Sequence, residues 1–247
     1  MNIAQYLDST YLKTPAQSGL SEEETLKKDI ELTQEAIDNG ILAVMIRPDY
    51  VSEIKNYITA KDAKVIVGTV IGFHEGTYSV EEKLAEAKKA IEDGADELDF
   101  VINYSAYLNG DVELVKNEVI SCTKLCLDNQ KIAKWIIEIA ALTDEQIADL
   151  TKKIATWSEE NFEESQLAQI FVKSSTGFYV TENGKPNGAT FEGIQIMLDN
   201  AGKLPVKAAG GVRTPEDAEK MINLGVMRIG TSSALALIKN ESTSGGY

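Results

Sequence analysis

Short apolar runs alternate with longer segments of helical period through nearly the whole chain, the order of a parallel sheet covered by helices. Strands are expected over residues 6–10, 42–46, 64–72, 97–103, 134–140, 168–174, 205–209 and 227–230. Helices are expected between them, over 22–39, 50–58, 80–93, 112–128, 143–158, 190–200 and 214–224. In the first of these, Leu26, Ile30, Thr33 and Ile37 form one stripe, and Gly40 stands ready to cap the end. Eight strands in this order predict an α/β chain folded as a single (β/α)8 TIM barrel. It would have a short N-terminal helical segment and a flexible C-terminal tail from about residue 240. No linker rich in Pro, Gly or Ser divides the 247 residues, so one domain over 1–247 is expected. The longer connection 181–190 is either a lid over a site or a plain solvated loop.

Alternation places charges where apolar side chains would be expected. In 97–103, Leu98, Phe100 and Ile102 share the face that must meet the helices, which turns Glu97, Asp99, Val101 and Asn103 inward. In the next strand Trp135, Ile137 and Ile139 face out, and Glu138 becomes a second inward carboxylate. Two more strands end in lysines, Lys173 in Phe171-Val172-Lys173-Ser174-Ser175-Thr176-Gly177 and Lys207 in Val206-Lys207-Ala208-Ala209-Gly210-Gly211. Any one of these five charges is as readily part of a structural ion-pair network; five converging on the carboxyl end of a barrel ask for a functional reason.

The lysine pair supplies one. At an ordinary pKa of about 10.4, about one lysine in 2500 is a neutral amine at pH 7. A second ammonium and partial desolvation would depress that value by about 3 units, leaving Lys173 able to attack a carbonyl, with Lys207 as its perturber. The iminium formed is an electron sink that lets a neighbouring carbon–carbon bond break. Glycine-bearing turns after the last three strands add a candidate phosphate site: Gly177, Gly210, Gly211 and Gly230 allow close backbone approach, Ser232 and Ser233 offer hydroxyls, and Arg213 adds charge.

Composition narrows the partners. A net charge of −15 disfavours nucleic acid and anionic membranes, and no apolar run reaches the length of a membrane span. No secretory signal is evident at the N-terminus, and Cys122 and Cys126, four apart on a helix, suit reduced thiols, so a cytoplasmic location is expected. One histidine, His74, and no CxxC or HxxxH pattern argue against a metal site, and no cofactor is expected.

The segments Asp8-Ser9-Thr10-Tyr11-Leu12-Lys13, Gly68-Thr69-Val70-Ile71-Gly72-Phe73, Ala95 to Asn103, the two lysine segments and Arg228-Ile229-Gly230-Thr231-Ser232-Ser233 resemble the deoxyribose-phosphate aldolase family over almost the whole chain. The resemblance implies a metal-independent lyase that reversibly cleaves 2-deoxy-D-ribose 5-phosphate to D-glyceraldehyde 3-phosphate and acetaldehyde. It implies Lys173 as the Schiff-base lysine, Lys207 as the lysine that tunes it, and Asp99 as the carboxylate of proton transfer. Asp8 and Thr10 match positions at the sugar end, and Glu97, Glu138 and Thr176 join them as expected substrate contacts. Tyr247, the last residue of a tail similar to the family's mobile end, is expected to exchange a proton with the intermediate. Phe178 departs from the pattern, because some members carry a phosphate-side lysine there; Lys185 or Arg213 would have to compensate. Met45 stands where many members have cysteine, and His74 where proline is frequent. The expected partners are a small-molecule sugar phosphate, an aldehyde and a second copy of the chain in a homodimer. Another lysine-dependent aldolase or transaldolase acting on a keto-sugar phosphate, and a non-catalytic sugar-phosphate-binding barrel, remain as alternatives.

Overall fold

The computed structural model describes residues 2–182 and 184–241. Eight parallel strands close on themselves in chain order: β1 Leu7–Thr10, β2 Ala43–Ile46, β3 Ile66–Ile71, β4 Glu97–Val101, β5 Ile132–Ile136, β6 Ile170–Lys173, β7 Val206–Ala209 and β8 Arg228–Thr231. Helices α1 Pro15–Ser18, α2 Glu22–Asn39, α3 Val51–Ala60, α4 Val80–Glu92, α5 Tyr104–Leu108, α6 Val112–Asp128, α7 Asp144–Asn161, α8 Phe191–Asn200, α9 Pro215–Leu224 and α10 Ala234–Ile238 occupy the connections. This is a (β/α)8 TIM barrel, as the alternation predicts.

Local chemistry accounts for the element ends. Ser21, Ser79 and Thr143 each accept a backbone N–H from the third helical residue, whose own Glu or Gln side chain reaches back, so α2, α4 and α7 start on full capping boxes. Gly40 ends α2 in the left-handed region at φ 65°, a conformation that other residues adopt at a cost.

Period two divides each strand between two environments. Val44 and Ile46 of β2, Leu98 and Phe100 of β4, Ala133 and Trp135 of β5, Val172 of β6 and Ile229 of β8 join the main core between sheet and helices. Trp135 stacks on Phe100 at 4.9 Å and donates its indole N–H to Thr123 of α6. The alternate residues face the lumen, which is apolar on one side and charged on the other. Met45 and Val70 form a small separate cluster with Leu12, while Asp8, Glu97, Asp99, Lys134, Lys173, Lys207 and Arg228 are all buried.

Several boundaries differ from expectation. The strand expected over 134–140 lies at Ile132–Ile136, and Glu138 follows it in the left-handed region (φ 57°, ψ 68°). Glu138 is therefore aimed by a backbone turn and not by strand alternation. Asn103 likewise lies past β4, where its side chain caps α5 by accepting from the Ala106 N–H. The N-terminal helical segment is one 3-10 helix, Ile3–Tyr6. Among the described residues no helix is long and apolar enough to cross a membrane. Tyr247 and the rest of the tail from Ser242 lie outside the described residues.

Candidate active site

Register brings the charged side chains into neighbouring rows. Lys173 of β6 pairs with Lys207 of β7, Lys207 pairs with Arg228 of β8, and Asp99 of β4 pairs with Lys134 of β5. Neighbouring parallel strands in register send paired side chains to the same side, so the cations form a wall and β4 and β1 supply the carboxylates facing it.

The contacts close into a ring. From Asp99 Oδ2 the path runs to Lys207 Nζ at 2.8 Å, to Asp8 Oδ2 at 2.5 Å, and through Asp8 Oδ1 to Arg228 at 2.6 Å. It continues to Glu97 at 2.8 Å, to Lys134 at 2.6 Å and back to Asp99 Oδ1 at 2.8 Å. Arg228 holds Glu97 through both guanidinium NH groups and donates its Nε–H to Asp8, so its plane is fixed at three points. The ring holds three carboxylates and three cations. Lys173 hangs outside it as a fourth cation, bonded to Asp99 Oδ2 at 2.8 Å.

This arrangement decides which group gives up a proton. Burial presses the Lys173 ammonium down to about 8; Asp99 opposes that shift, while Lys207 and Lys134 add to it. Burial is thus the principal cause, ahead of the second ammonium expected from sequence. Lys207 is equally buried, but Asp8 and Asp99 together outweigh burial and hold its pKa above the ordinary value. Burial would raise both carboxyls, yet Arg228, Lys207 and Lys134 hold Asp8 down at about 2, and Lys134, Lys173 and Lys207 hold Asp99 well below the usual range. The ring keeps its charges at neutral pH, and Lys173 is the cation that can become an amine.

Glu138 forms a second centre beside the ring. Its Oε2 accepts from the Thr176 N–H at 3.1 Å and from the Thr176 hydroxyl, while its buried Oε1 has no hydrogen-bond partner among the described residues. Burial lifts its carboxyl to about 7 against the Thr176 bonds and the nearby Lys173 charge. The Thr10 hydroxyl donates to the Asp8 carbonyl, which fixes the turn at the end of β1.

The residues expected to hold phosphate lie at the same mouth. Gly177, Gly210 and Gly211 have φ of 81°, 70° and 77°, and the Gly210 N–H donates to Gly230 of β8. Gly188 packs so closely on this turn that a Cβ there would lie 2.7 Å from the Gly210 carbonyl carbon. Ser232 lines a cavity with Thr10 and Phe178, and the Ser233 N–H donates to the Thr231 hydroxyl. Arg213 and Lys185 are exposed.

Sequence reading missed Lys134 and Arg228, which complete the ring. A signal existed for Lys134: it has the parity of Ile136 and Glu138, so the alternation that turned Glu138 inward already turned Lys134 inward. Among the described residues no group of three or more His, Cys, Asp or Glu is arranged to hold a metal ion, and the ring carboxylates are occupied by lysine and arginine.

A parallel barrel whose mouth carries a buried lysine of lowered pKa, backed by a charge-balanced ring, defines the class of lysine-centred barrel lyases. The DeoC/LacD family aldolase model matches residues 3–239. A deoxyribose-phosphate aldolase of Thermococcus kodakarensis is 40% identical over 241 residues, covering 96% of each chain, and one of Caldicellulosiruptor saccharolyticus is 38% identical, covering 97% of this chain and 98% of that one. The solved structure of a deoxyribose phosphate aldolase from Aeropyrum pernix, described as tetrameric, superposes with a TM-score of 0.76 at 29% identity, covering 96% of this chain and 89% of that one. The chain belongs to the DeoC/LacD family of aldolases.

Proposed function

We propose that this enzyme reversibly cleaves 2-deoxy-D-ribose 5-phosphate to D-glyceraldehyde 3-phosphate and acetaldehyde through a Schiff base on Lys173. The observation that carries the reading is the position of Lys173 as the surplus cation on a ring whose other charges cancel. Its neutral amine attacks C1 of the open-chain sugar, and the resulting carbinolamine loses water to give the iminium. Lys207, held protonated between Asp8 and Asp99, is the acid for that loss, and Asp99 orients both amines. Removal of the C3 hydroxyl proton breaks the C2–C3 bond, its electron pair moves into the iminium, and D-glyceraldehyde 3-phosphate leaves. Glu138, titrating near neutrality beside Thr176, suits the acceptor of that proton. The enamine left on Lys173 takes a proton at carbon, from Tyr247 or from a water held by Asp99. Hydrolysis then releases acetaldehyde. Thr10, Glu97 and Asp8 shape the sugar end, and the Gly177, Gly210–Gly211 and Gly230–Ser233 turns with Arg213 receive the phosphate.

Borohydride reduction in the presence of substrate tests the reading by adding mass at Lys173; a label on any other residue contradicts it. Turnover that yields acetaldehyde in the presence of a chelator supports it, whereas dihydroxyacetone phosphate as product favours an aldolase of keto-sugar phosphates. Ligand-induced stabilisation without turnover favours a non-catalytic barrel. Association into a homodimer, in a reducing cytoplasm that keeps Cys122 and Cys126 as thiols, belongs to the same reading. Sedimentation of the full chain tests the dimer.

A further inference from the structure

A cavity of about 200 Å³ opens at the carboxyl mouth of the barrel between the loops after β1, β6 and β8, lined by Thr10, Tyr11, Leu12, Lys13, Lys28, Leu32, Phe178 and Ser232. It far exceeds the about 10–15 Å³ that one water needs. Its two walls differ. On the β6 side stands Phe178, packed edge-on against Phe73 at 5.0 Å and stacked with His74 at 5.5 Å, so that wall brings an aromatic side chain and no charge. On the other side Lys13 follows β1 and Lys28 projects from α2, its ammonium 4.4 Å from the centre of the Tyr11 ring. Among the described residues neither lysine makes an ion pair, in a chain of 39 carboxylates to 24 lysines and arginines. Tyr11 also carries a buried hydroxyl without a hydrogen-bond partner among the described residues. An unsatisfied buried hydroxyl costs free energy until a polar group meets it.

We infer that Lys13 and Lys28 are the cationic half of an anion subsite that holds the phosphoryl group of the substrate, with Ser232 and the Tyr11 hydroxyl as further donors. The inference rests on the reading of the reaction given above and adds to it the residues that neutralise the phosphate. The turns after β6, β7 and β8 supply backbone N–H groups, but a phosphate dianion entering a molecule of charge −15 needs compensating cations close by. Arg213 and Lys185 do not line this cavity; Lys13 and Lys28 do.

The test is steady-state kinetics of Lys13→Gln, Lys28→Gln and the double variant on 2-deoxyribose 5-phosphate and on unphosphorylated 2-deoxyribose. Each single variant is expected to raise KM for the phosphorylated sugar about tenfold, the size of one lost charge-assisted contact, with kcat and the unphosphorylated reaction within about twofold of wild type. The double variant should lose competitive inhibition by inorganic phosphate, and Lys13→Arg should restore most of it. Equal losses on both sugars, or no change on either, would overturn the subsite. A separate measurement needs no turnover: inorganic phosphate should raise the melting temperature of the wild-type chain and not that of the double variant. If that shift is seen while wild type cleaves neither sugar, the subsite stands and the aldolase reading falls. If phosphate stabilises both proteins alike, the subsite falls.

Discussion

Lys173 works only as an amine, so the pH at which it loses its proton sets the acidic limb of the rate profile. With the ammonium pressed down to about 8 by burial, kcat/KM should rise with pH up to about 8 and level above it. A limb centred near the ordinary lysine value of about 10.4 would contradict the assignment. Lys207→Leu removes the cation that shares Asp99 with Lys173. Asp99 is then left to Lys173 and Lys134, the Lys173 ammonium is held more firmly, and the limb should move to higher pH by about one unit, or about 1.4 kcal/mol. Asp29 of α2 offers the opposite case, away from the site. It is buried, neither oxygen has a hydrogen-bond partner among the described residues, and burial lifts its carboxyl to about 8 against the pull of Lys28. An acid whose folded pKa is raised binds its proton more tightly in the folded chain, so the stability it supports is complete below about 4 and is lost as pH rises to about 8. Asp29→Asn should flatten the fall of melting temperature between pH 5 and pH 8.5, measured by thermal denaturation.

At the scale of elements, the buried pair of Lys83 on α4 and Glu118 on α6 fixes the end of β4 from outside the barrel. The two side chains meet at 2.5 Å with no exposure; Lys83 also donates to the Val101 carbonyl, and Glu118 accepts the Asn103 N–H. Removing one partner strands a charge in the core, so Glu118→Ala should cost about 3–5 kcal/mol in urea denaturation, whereas replacing both with apolar residues of similar volume should cost much less. How far the sequence carried the reading is clearest in these same elements. Capping residues and apolar stripes marked α2, α4, α6, α7, α8 and α9 to within a few residues, because caps and periodicity act locally. The strands came out too long at both ends of β3 and at the carboxyl ends of β4 and β5. Apolar runs continue past the last ladder bond there, and a residue such as Glu138 that leaves the strand in a left-handed turn keeps its buried neighbours. Lys134 and Arg228 escaped notice because each opens or nearly opens its strand, where a charge reads as a solvated end; closure of the barrel buries them. The convergence of Asp99, Lys173 and Lys207 was legible because period two fixes which way a strand side chain points.

For the molecule as a whole, the imbalance of charge sits outside the ring, which is neutral apart from Lys173. A surface charge of −15 repels itself, and salt shortens the reach of that repulsion from about 30 Å at 0.01 M to about 8 Å at 0.15 M. Melting temperature should therefore rise with sodium chloride over this range, while the pH of the Lys173 limb stays nearly constant because the buried contacts are little screened. A limb that moves in step with the melting temperature would place the lysine under the control of the surface field. The closed loop of six buried charges has no free end. A single substitution anywhere around it, even at Arg228 or Glu97 two contacts from the amine, alters the proton inventory at Lys173, whereas neutralising an adjacent acid and base together leaves the count intact. Retuning the working pH of such a barrel is accordingly an exercise in parity: odd changes move it, and even ones spare it.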